Sequence, residues 1–212
     1  KIVTFGIENP ADFKAANIHE FLTHTSFEIN GVPMQVNLLG KHNVYNALAA
    51  CAASYANGIS MQDIARGLCA LPGVPGRMER MDNGQDFFVY VDFAYTNESL
   101  QRAFDTVRPF KKGRVLLVFG CGGQRDRTKR PMMGLAAAEY ADRIILTADN
   151  SRSEATCDII ADILDGIPPE HLSKTVVIED RRDAIRHALC TASCGDTVLL
   201  AESGVEIIFI RI

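Results

Sequence analysis

From Phe87 onward, short apolar runs alternate with segments of helical periodicity. The runs are Phe87-Phe-Val-Tyr-Val-Asp-Phe93, Val115-Leu-Leu-Val-Phe119, Arg143-Ile-Ile-Leu-Thr147, Thr175-Val-Val-Ile178 and Thr197-Val-Leu-Leu-Ala201. They are brief and apolar at consecutive positions, as strands covered on both faces are. Helices are predicted between them over Glu98–Arg108, Met133–Ala141, Ala155–Leu164 and Arg181–Ala192. That alternation predicts an α/β fold with a mostly parallel sheet and helices on both faces.

The earlier residues follow a different pattern. Lys1-Ile-Val-Thr-Phe5 reads as a strand, and residues 25–38 read as a hairpin turning at Asn30-Gly31, with Phe27 and Ile29 before the turn and Val36 and Leu38 after it. Asn-Gly suits the two positive φ angles of such a turn. A helix is expected from His42 to Tyr55, stopped at Asn57-Gly58. Ser60 is placed to cap a second helix, Met61 to Leu71, whose apolar face is Ile64, Leu68 and Leu71. Then Pro72-Gly-Val-Pro-Gly76 puts two prolines and two glycines into five residues. The expected division is 1–72, a hinge at 73–76, and 77–212.

The densest chemistry lies just after the run ending at Phe119. The stretch Gly120-Cys-Gly-Gly-Gln-Arg-Asp-Arg-Thr-Lys-Arg130 leads from a strand towards a helix. In open α/β sheets such loops stand where ligands bind. Three glycines allow backbone N–H groups to approach an anion, and Arg125, Arg127, Lys129 and Arg130 add four positive charges. Gly120-x-Gly122 does not complete a dinucleotide fingerprint, so the alternative of a solvated charged loop stays open. The other strand ends carry Asp92, Asp149-Asn-Ser-Arg152, Asp180 and Glu202-Ser-Gly-Val-Glu206. A cleft with acids around a basic centre suits a ligand bearing both anionic and amine groups.

Composition narrows the partners. The 212 residues have a formal net charge of -4, so a nucleic-acid partner has no global electrostatic support. No apolar run reaches membrane-spanning length and Lys1 does not open a signal peptide. Six cysteines without a Cys-x-x-Cys pair suit reduced, packed thiols in a cytoplasm, and no metal site is expected.

Five segments in order carry a resemblance: Gly40-Lys-His-Asn-Val-Tyr-Asn46, Pro75-Gly-Arg-Met-Glu79, Asp92-Phe-Ala-Tyr-Thr-Asn97, Phe119 to Pro131, and Asp149-Asn-Ser-Arg152. Together they resemble the Mur ligases of peptidoglycan synthesis, nearest to the members that add meso-diaminopimelate. The resemblance covers the whole chain but only the later part of the family's length. It implies the end of a central ATP-binding domain at 1–72, as a small α+β remnant, and a Rossmann-like amino-acid-binding domain at 77–212. It also implies a cytoplasmic, monomeric ligase that uses ATP and Mg2+ and binds neither nucleic acid nor membrane. ATP would phosphorylate the D-glutamate carboxylate of UDP-N-acetylmuramoyl-L-alanyl-D-glutamate, and the amine of meso-diaminopimelate would attack the acyl phosphate. The family's P-loop, Gly-Thr-x-Gly-Lys-[Thr/Ser], does not occur in this sequence. Nor does the family's carbamylated lysine. The expectation is that these residues alone do not turn over ATP.

Residue roles follow the same resemblance. Asn46, Arg77 and Asp92 correspond to nucleotide-binding residues, and Lys129 and Arg125 to catalytic ones beside the transferred phosphoryl group. Arg130, Asp149, Asn150, Arg152 and Glu206 correspond to diaminopimelate-binding residues. A guanidinium at Arg152 paired with the distal carboxylate would distinguish diaminopimelate from lysine. Bland readings stand beside these: Asn46 as a helix-surface amide, Asp92 as a strand-end cap, Arg152 as a loop charge. The chain departs from the family at Tyr95, where a histidine is usual, at Ser151, where proline is, and over Glu202–Val205. A lysine-adding or folylpolyglutamate-type ligase, or a non-catalytic binding module, remains open. The apolar tail Ile207–Ile212 is read as a closing strand.

Overall fold

A computed structural model describes residues 2–201. The chain divides into two compact units, Lys1–Pro75 and Gly76–Ile212.

In the first unit, β1 (Phe5–Gly6), β2 (Phe13–Glu20), β3 (Thr25–Ile29) and β4 (Val32–Val36) form a sheet in sequence order. The β3–β4 hairpin pairs Ile29 with Val32 across Asn30-Gly31, whose φ angles of 51° and 80° are those the sequence requires. The long strand β2 was not foreseen from sequence. Lys14, Ala16, Asn17 and Glu20 are poor strand formers, and the pairing slips between Ala16 and His19, where Asn17 takes a φ of 50°. The expected strand over Lys1–Phe5 shrinks to a two-residue parallel pairing with β2.

Helices α1 (Lys41–Ala56) and α2 (Met61–Ala70) follow. Val44, Leu48 and Cys51 of α1 and Ile64 of α2 pack with Phe27, Ile29, Met34 and Val36 of the sheet. Ser60 caps α2 by accepting from the Asp63 N–H. Leu71, expected on the apolar face, lies past the helix end and is exposed, because Pro72 forbids another turn.

The second unit contains β5 (Glu79–Met81), β6 (Phe88–Asp92), α3 (Asn97–Val107), β7 (Val115–Phe119), α4 (Lys129–Tyr140), β8 (Arg143–Leu146), α5 (Thr156–Leu164), β9 (Thr175–Val177), α6 (Arg181–Thr191) and β10 (Thr197–Ala201). The sheet order is β5-β6-β10-β7-β8-β9. Every pairing is parallel except that of β5, a three-residue edge strand too short to register in the sequence pattern. Strands β7 and β10 are buried at all five positions. Leu116, Val118, Val198 and Leu200 face α6 through Ala184, Ile185 and Ala188, while α3, α4 and α5 pack in a row. Consecutive apolar positions in β7 and β10 therefore report cover on both faces, whereas the edge strand β9, expected to be covered in the same way, leaves Val176 and Val177 exposed.

Of the cysteines, Cys51 and Cys121 are buried and Cys69, Cys157, Cys190 and Cys194 are exposed, so packing accounts for fewer of them than composition implied. Among the described residues no helix is long and apolar enough to cross a membrane. Glu202, Glu206 and the tail Ile207–Ile212 lie outside the described residues.

Candidate functional site

The carboxyl ends of β7 and β8 are stitched together by their loops, and glycine permits it. A Cβ on Gly120 would overlap the Thr147 carbonyl oxygen, and one on Gly123 would overlap that of Ser151. The Gly123 N–H donates to the Asn150 carbonyl at 2.9 Å. Two of these glycines therefore admit a neighbouring backbone, and the Gly123 N–H, expected to face an anion, is already engaged.

Helix α4 begins at Lys129, one turn earlier than the apolar pattern indicated. Pro131 is its third residue, where the missing N–H costs nothing because first-turn donors have no intrahelical acceptor. Asp126 Oδ1 accepts from the Thr128 N–H at 2.9 Å and its hydroxyl at 2.7 Å, turning the chain into the helix.

The four cations of this loop then separate. Arg127 is forked to Asp162 of α5 through Nε and Nη2, both at 3.1 Å. Lys129 Nζ donates to the Tyr95 carbonyl at 2.7 Å and sits 5.4 Å from the centre of the Tyr95 ring. Arg130, expected to meet the amino-acid substrate, has a side chain that is 0% exposed, and its guanidinium donates to Glu154, Asp162 and the Gly122 carbonyl. Arg125 is exposed and has no hydrogen-bond or ionic partner among the described residues.

A cavity of about 720 Å³ opens beside the loop, with Tyr95, Arg125, Lys129, Met132, Asp149 and Arg152 in its wall. Arg152 is held at a φ of 51°, and its Nη1 donates to the carbonyls of Gly123 at 2.5 Å and Asn150 at 3.5 Å. Those are neutral acceptors, so its charge has no carboxylate partner among the described residues. The half-buried Asp149 likewise has no side-chain partner among them. Asn150 is exposed, and its carbonyl serves Gly123 and Arg152. Glu98 and Asp126 line the cavity as well, and among the described residues neither Arg125 nor Arg152 is paired with these carboxylates or with Asp149.

The residues assigned to a nucleotide divide between the two units. Asn46 is exposed on α1 of the first unit, where its Nδ2 donates to Asn43 Oδ1 at 3.0 Å. In the second unit, the Arg77 guanidinium lies 5.3 Å from the Phe93 ring centre. Asp92 is only 8% exposed, and its Oδ2 accepts from the Met78 N–H at 2.8 Å, supporting a turn in which Met78 has a φ of 46°. Burial pushes the Asp92 carboxyl up, partly opposed by the Met78 N–H and by Arg77.

Two contributors escaped the sequence reading, Glu154 and Asp162. Arg130, before any other cause, holds the Glu154 carboxyl below the usual range; Arg127 and then Arg130 do the same for Asp162. A faint signal existed for Asp162. It is an acid placed among Ile159, Ile160 and Ile163, at a position that an amphipathic helix would bury.

Comparison with known proteins adds the following. Residues 76–204 match the model of the Mur ligase glutamate ligase domain, and residues 1–54 match the Mur ligase middle domain. A UDP-N-acetylmuramoyl-L-alanyl-D-glutamate--2,6-diaminopimelate ligase of Syntrophomonas wolfei is 42% identical over 207 residues, covering 96% of this chain and 42% of that protein. The ligase of the same name from Listeria monocytogenes serotype 4b is 42% identical over 209 residues, with 97% and 42% covered. A solved structure of a ligase of that name superposes with a TM-score of 0.62 at 35% identity, over 96% of this chain and 42% of the other. A Mycobacterium tuberculosis folylpolyglutamate synthase complexed with ADP reaches a TM-score of 0.76 at 18% identity, over 94% of this chain and 48% of the other, a likeness of fold alone. The chain spans about 42% of the length of the curated relatives it matches.

Proposed function

The chain belongs to the Mur ligase family, whose members are ATP-dependent ligases, and we propose that its second unit binds meso-diaminopimelate for such a ligation. The observation that carries this reading is the cavity wall itself. Arg125 and Arg152 lack carboxylate partners and Asp149 lacks a cation, among the described residues, around one cavity of about 720 Å³. Meso-diaminopimelate carries two carboxylates and two amino groups, so it can answer both signs of charge. Planar guanidinium forks match carboxylates in two hydrogen bonds each, and Asp149 can hold an ammonium. Lysine, with one carboxylate fewer, would leave one arginine without a partner.

In this proposal Arg125, expected from the resemblance beside the transferred phosphoryl group, is assigned instead with Arg152 to the two carboxylates, and Asn150 lines the approach to them. Glu206, assigned to the distal ammonium by resemblance, belongs to the same proposal. Lys129, at the amino terminus of α4, faces the phosphoryl group of the acyl phosphate. The amine must lose its proton and be held in line with the carbonyl carbon, so orientation and fixed positive charge supply the rate. Arg130 is not part of this contact set.

The remaining assignments are also proposed here. Arg77 is exposed and contributes to ATP binding in the second unit, with Asp92 setting the turn that carries it. Asn46 is assigned to the nucleotide in the first unit. Among the described residues no group of three or more His, Cys, Asp or Glu could hold a metal ion, so Mg2+ is not placed on them. Residues 73–76 act as the hinge, and the ligase works as a cytoplasmic monomer on small molecules. The 212 residues without the P-loop sequence do not sustain ATP turnover.

Titration of the isotope-labelled chain with meso-diaminopimelate tests the reading. The amide resonances of Gly122–Arg125 and Asp149–Arg152 should move together and saturate. Shifts confined to other residues, or none at all, would remove the assignment of this cavity.

A further inference from the structure

The buried guanidinium of Arg130 makes four hydrogen bonds through Nη1 and Nη2, while its Nε has no partner among the described residues. Its Nη1 donates to Asp162 Oδ2 at 2.7 Å and Glu154 Oε2 at 3.0 Å; its Nη2 donates to Glu154 Oε1 at 3.1 Å and the Gly122 carbonyl at 3.3 Å. Arg130 is the second residue of α4, where the helix dipole opposes a cation, so only these acceptors justify its burial. Glu154 Oε1 in turn accepts from the Gln124 N–H, and Arg127 forks onto Asp162 from outside.

These contacts meet at three consecutive residues. The Gly122 carbonyl takes Arg130, the Gly123 carbonyl takes Arg152, and the Gln124 N–H reaches Glu154. Arg125 is the next residue, and Gln124 is held at a φ of 52°. Both arginines of the cavity wall are therefore referred to one buried cation. We propose that Arg130 is a positioning residue: with Glu154 it fixes the Gly122–Gln124 backbone, and so the separation and direction of the Arg125 and Arg152 guanidinium groups. It acts a second way as well. Glu154 stands two residues from Arg152 and against the residue before Arg125. Held by Arg130, that carboxylate is kept from neutralising the arginines the ligand needs.

The consequence for binding rests on the amino-acid reading of the cavity; the consequence for the backbone does not. The test uses the 212-residue chain as wild type, Arg130→Lys, Arg130→Met and Glu154→Ala. Two quantities are read: amide hydrogen exchange at Gln124 against Leu117 of β7, and calorimetric affinity for meso-diaminopimelate. Lysine keeps the charge but cannot fork to two carboxylates. Each variant should speed exchange at Gln124 with Leu117 unchanged. Misplaced guanidinium groups should weaken binding by roughly ten- to a hundred-fold, least for Arg130→Lys. Should Arg130→Met fail to fold, Glu154→Ala reads the same link. Unchanged Gln124 exchange in the folded variants overturns the proposal, and so does faster exchange with unaltered affinity, which would make the network structural only. A wild type that takes no diaminopimelate defeats the cavity's reading and with it the positioning of the arginines for that ligand, and the exchange comparison then decides only whether Arg130 fixes the Gly122–Gln124 backbone.

Discussion

At the amino end of β7, Arg114 donates to Asp196 through Nε at 3.1 Å and Nη2 at 2.7 Å, and Nη2 also reaches the Thr191 carbonyl at 2.9 Å. Asp196, only 3% exposed, accepts the Arg114 and Ser193 N–H groups too, at 2.6 and 2.9 Å. At the carboxyl end, five cations gather on two loops and the start of α4, and the four arginines divide by partner. Arg127 and Arg130 are matched by Glu154 and Asp162, while Arg125 and Arg152 have no carboxylate among the described residues. The two ends thus hold similar charges with different outcomes. Where each donor and acceptor already has its partner, charge fixes the fold; where two guanidinium groups remain unmatched beside a cavity, charge is available to a ligand.

The contrast can be broken most forcefully at the closed end. Asp196→Ala leaves two backbone N–H groups without their acceptor and removes the carboxylate from Arg114, which is 40% exposed and keeps the Thr191 carbonyl, so it should cost about 2–3 kcal/mol of stability, read in denaturant unfolding. A loss under about 1 kcal/mol would mean that the amino-end cluster is no more structural than a surface pair.

At the open end the expected effects reverse. Arg125→Ala should leave unfolding within about 0.5 kcal/mol of the wild type, since the side chain has no described partner to lose. The same substitution should lower affinity for meso-diaminopimelate about ten-fold or more, because a carboxylate would be left without its fork. A large fall in stability instead would place Arg125 among the structural cations.

Acidification should act on the matched pairs. The Glu154 and Asp162 carboxyls are held below their usual range by Arg130 and Arg127. Burial would raise Asp196, but Arg114 and the backbone N–H groups outweigh it and hold that carboxyl low as well. Groups of this kind stabilise the folded state fully above their unfolded values, about pH 4, and the contribution disappears as pH falls through the depressed folded values. Thermal unfolding followed from pH 6 to pH 2 should show this loss, and Asp196→Asn should flatten it. An unaltered slope in that variant would contradict the pairing.

The smallest change is expected at Asp92. Burial raises its pKa, so its ionised form opposes folding at neutral pH and that opposition fades as the solution is made acidic. Asp92→Asn keeps an acceptor for the Met78 N–H and should alter stability at pH 7 by less than about 1 kcal/mol. A substantially larger loss would show that the charge itself holds the turn.

Much of this fold was legible because burial on both faces leaves runs such as Val115–Phe119 wholly apolar, and because Asn30-Gly31 demands one kind of turn. Strand β2 was not legible, since two buried residues, Phe13 and Ala15, are its main apolar signal. The start of α4 was hidden by Pro131 and by an N-cap, Thr128, that makes no side-chain capping bond. Sequence grouped the basic residues of this loop but could not rank them. Arg125 and Arg130 are five residues apart and chemically identical. Only the approach of Glu154 and Asp162 from α5 and the loop before it sends one inward and leaves the other at the cavity.

In the proposed reading, the arginines without carboxylate partners select a ligand with two carboxylates. Calorimetric titration of the 212-residue chain with meso-diaminopimelate and with L-lysine, repeated on Arg152→Ala, decides it. The wild type should prefer diaminopimelate by about ten-fold or more, and Arg152→Ala should abolish the preference by weakening diaminopimelate while leaving lysine nearly unchanged. Equal affinity of the wild type for both amino acids, or a preference that survives in Arg152→Ala, would contradict it.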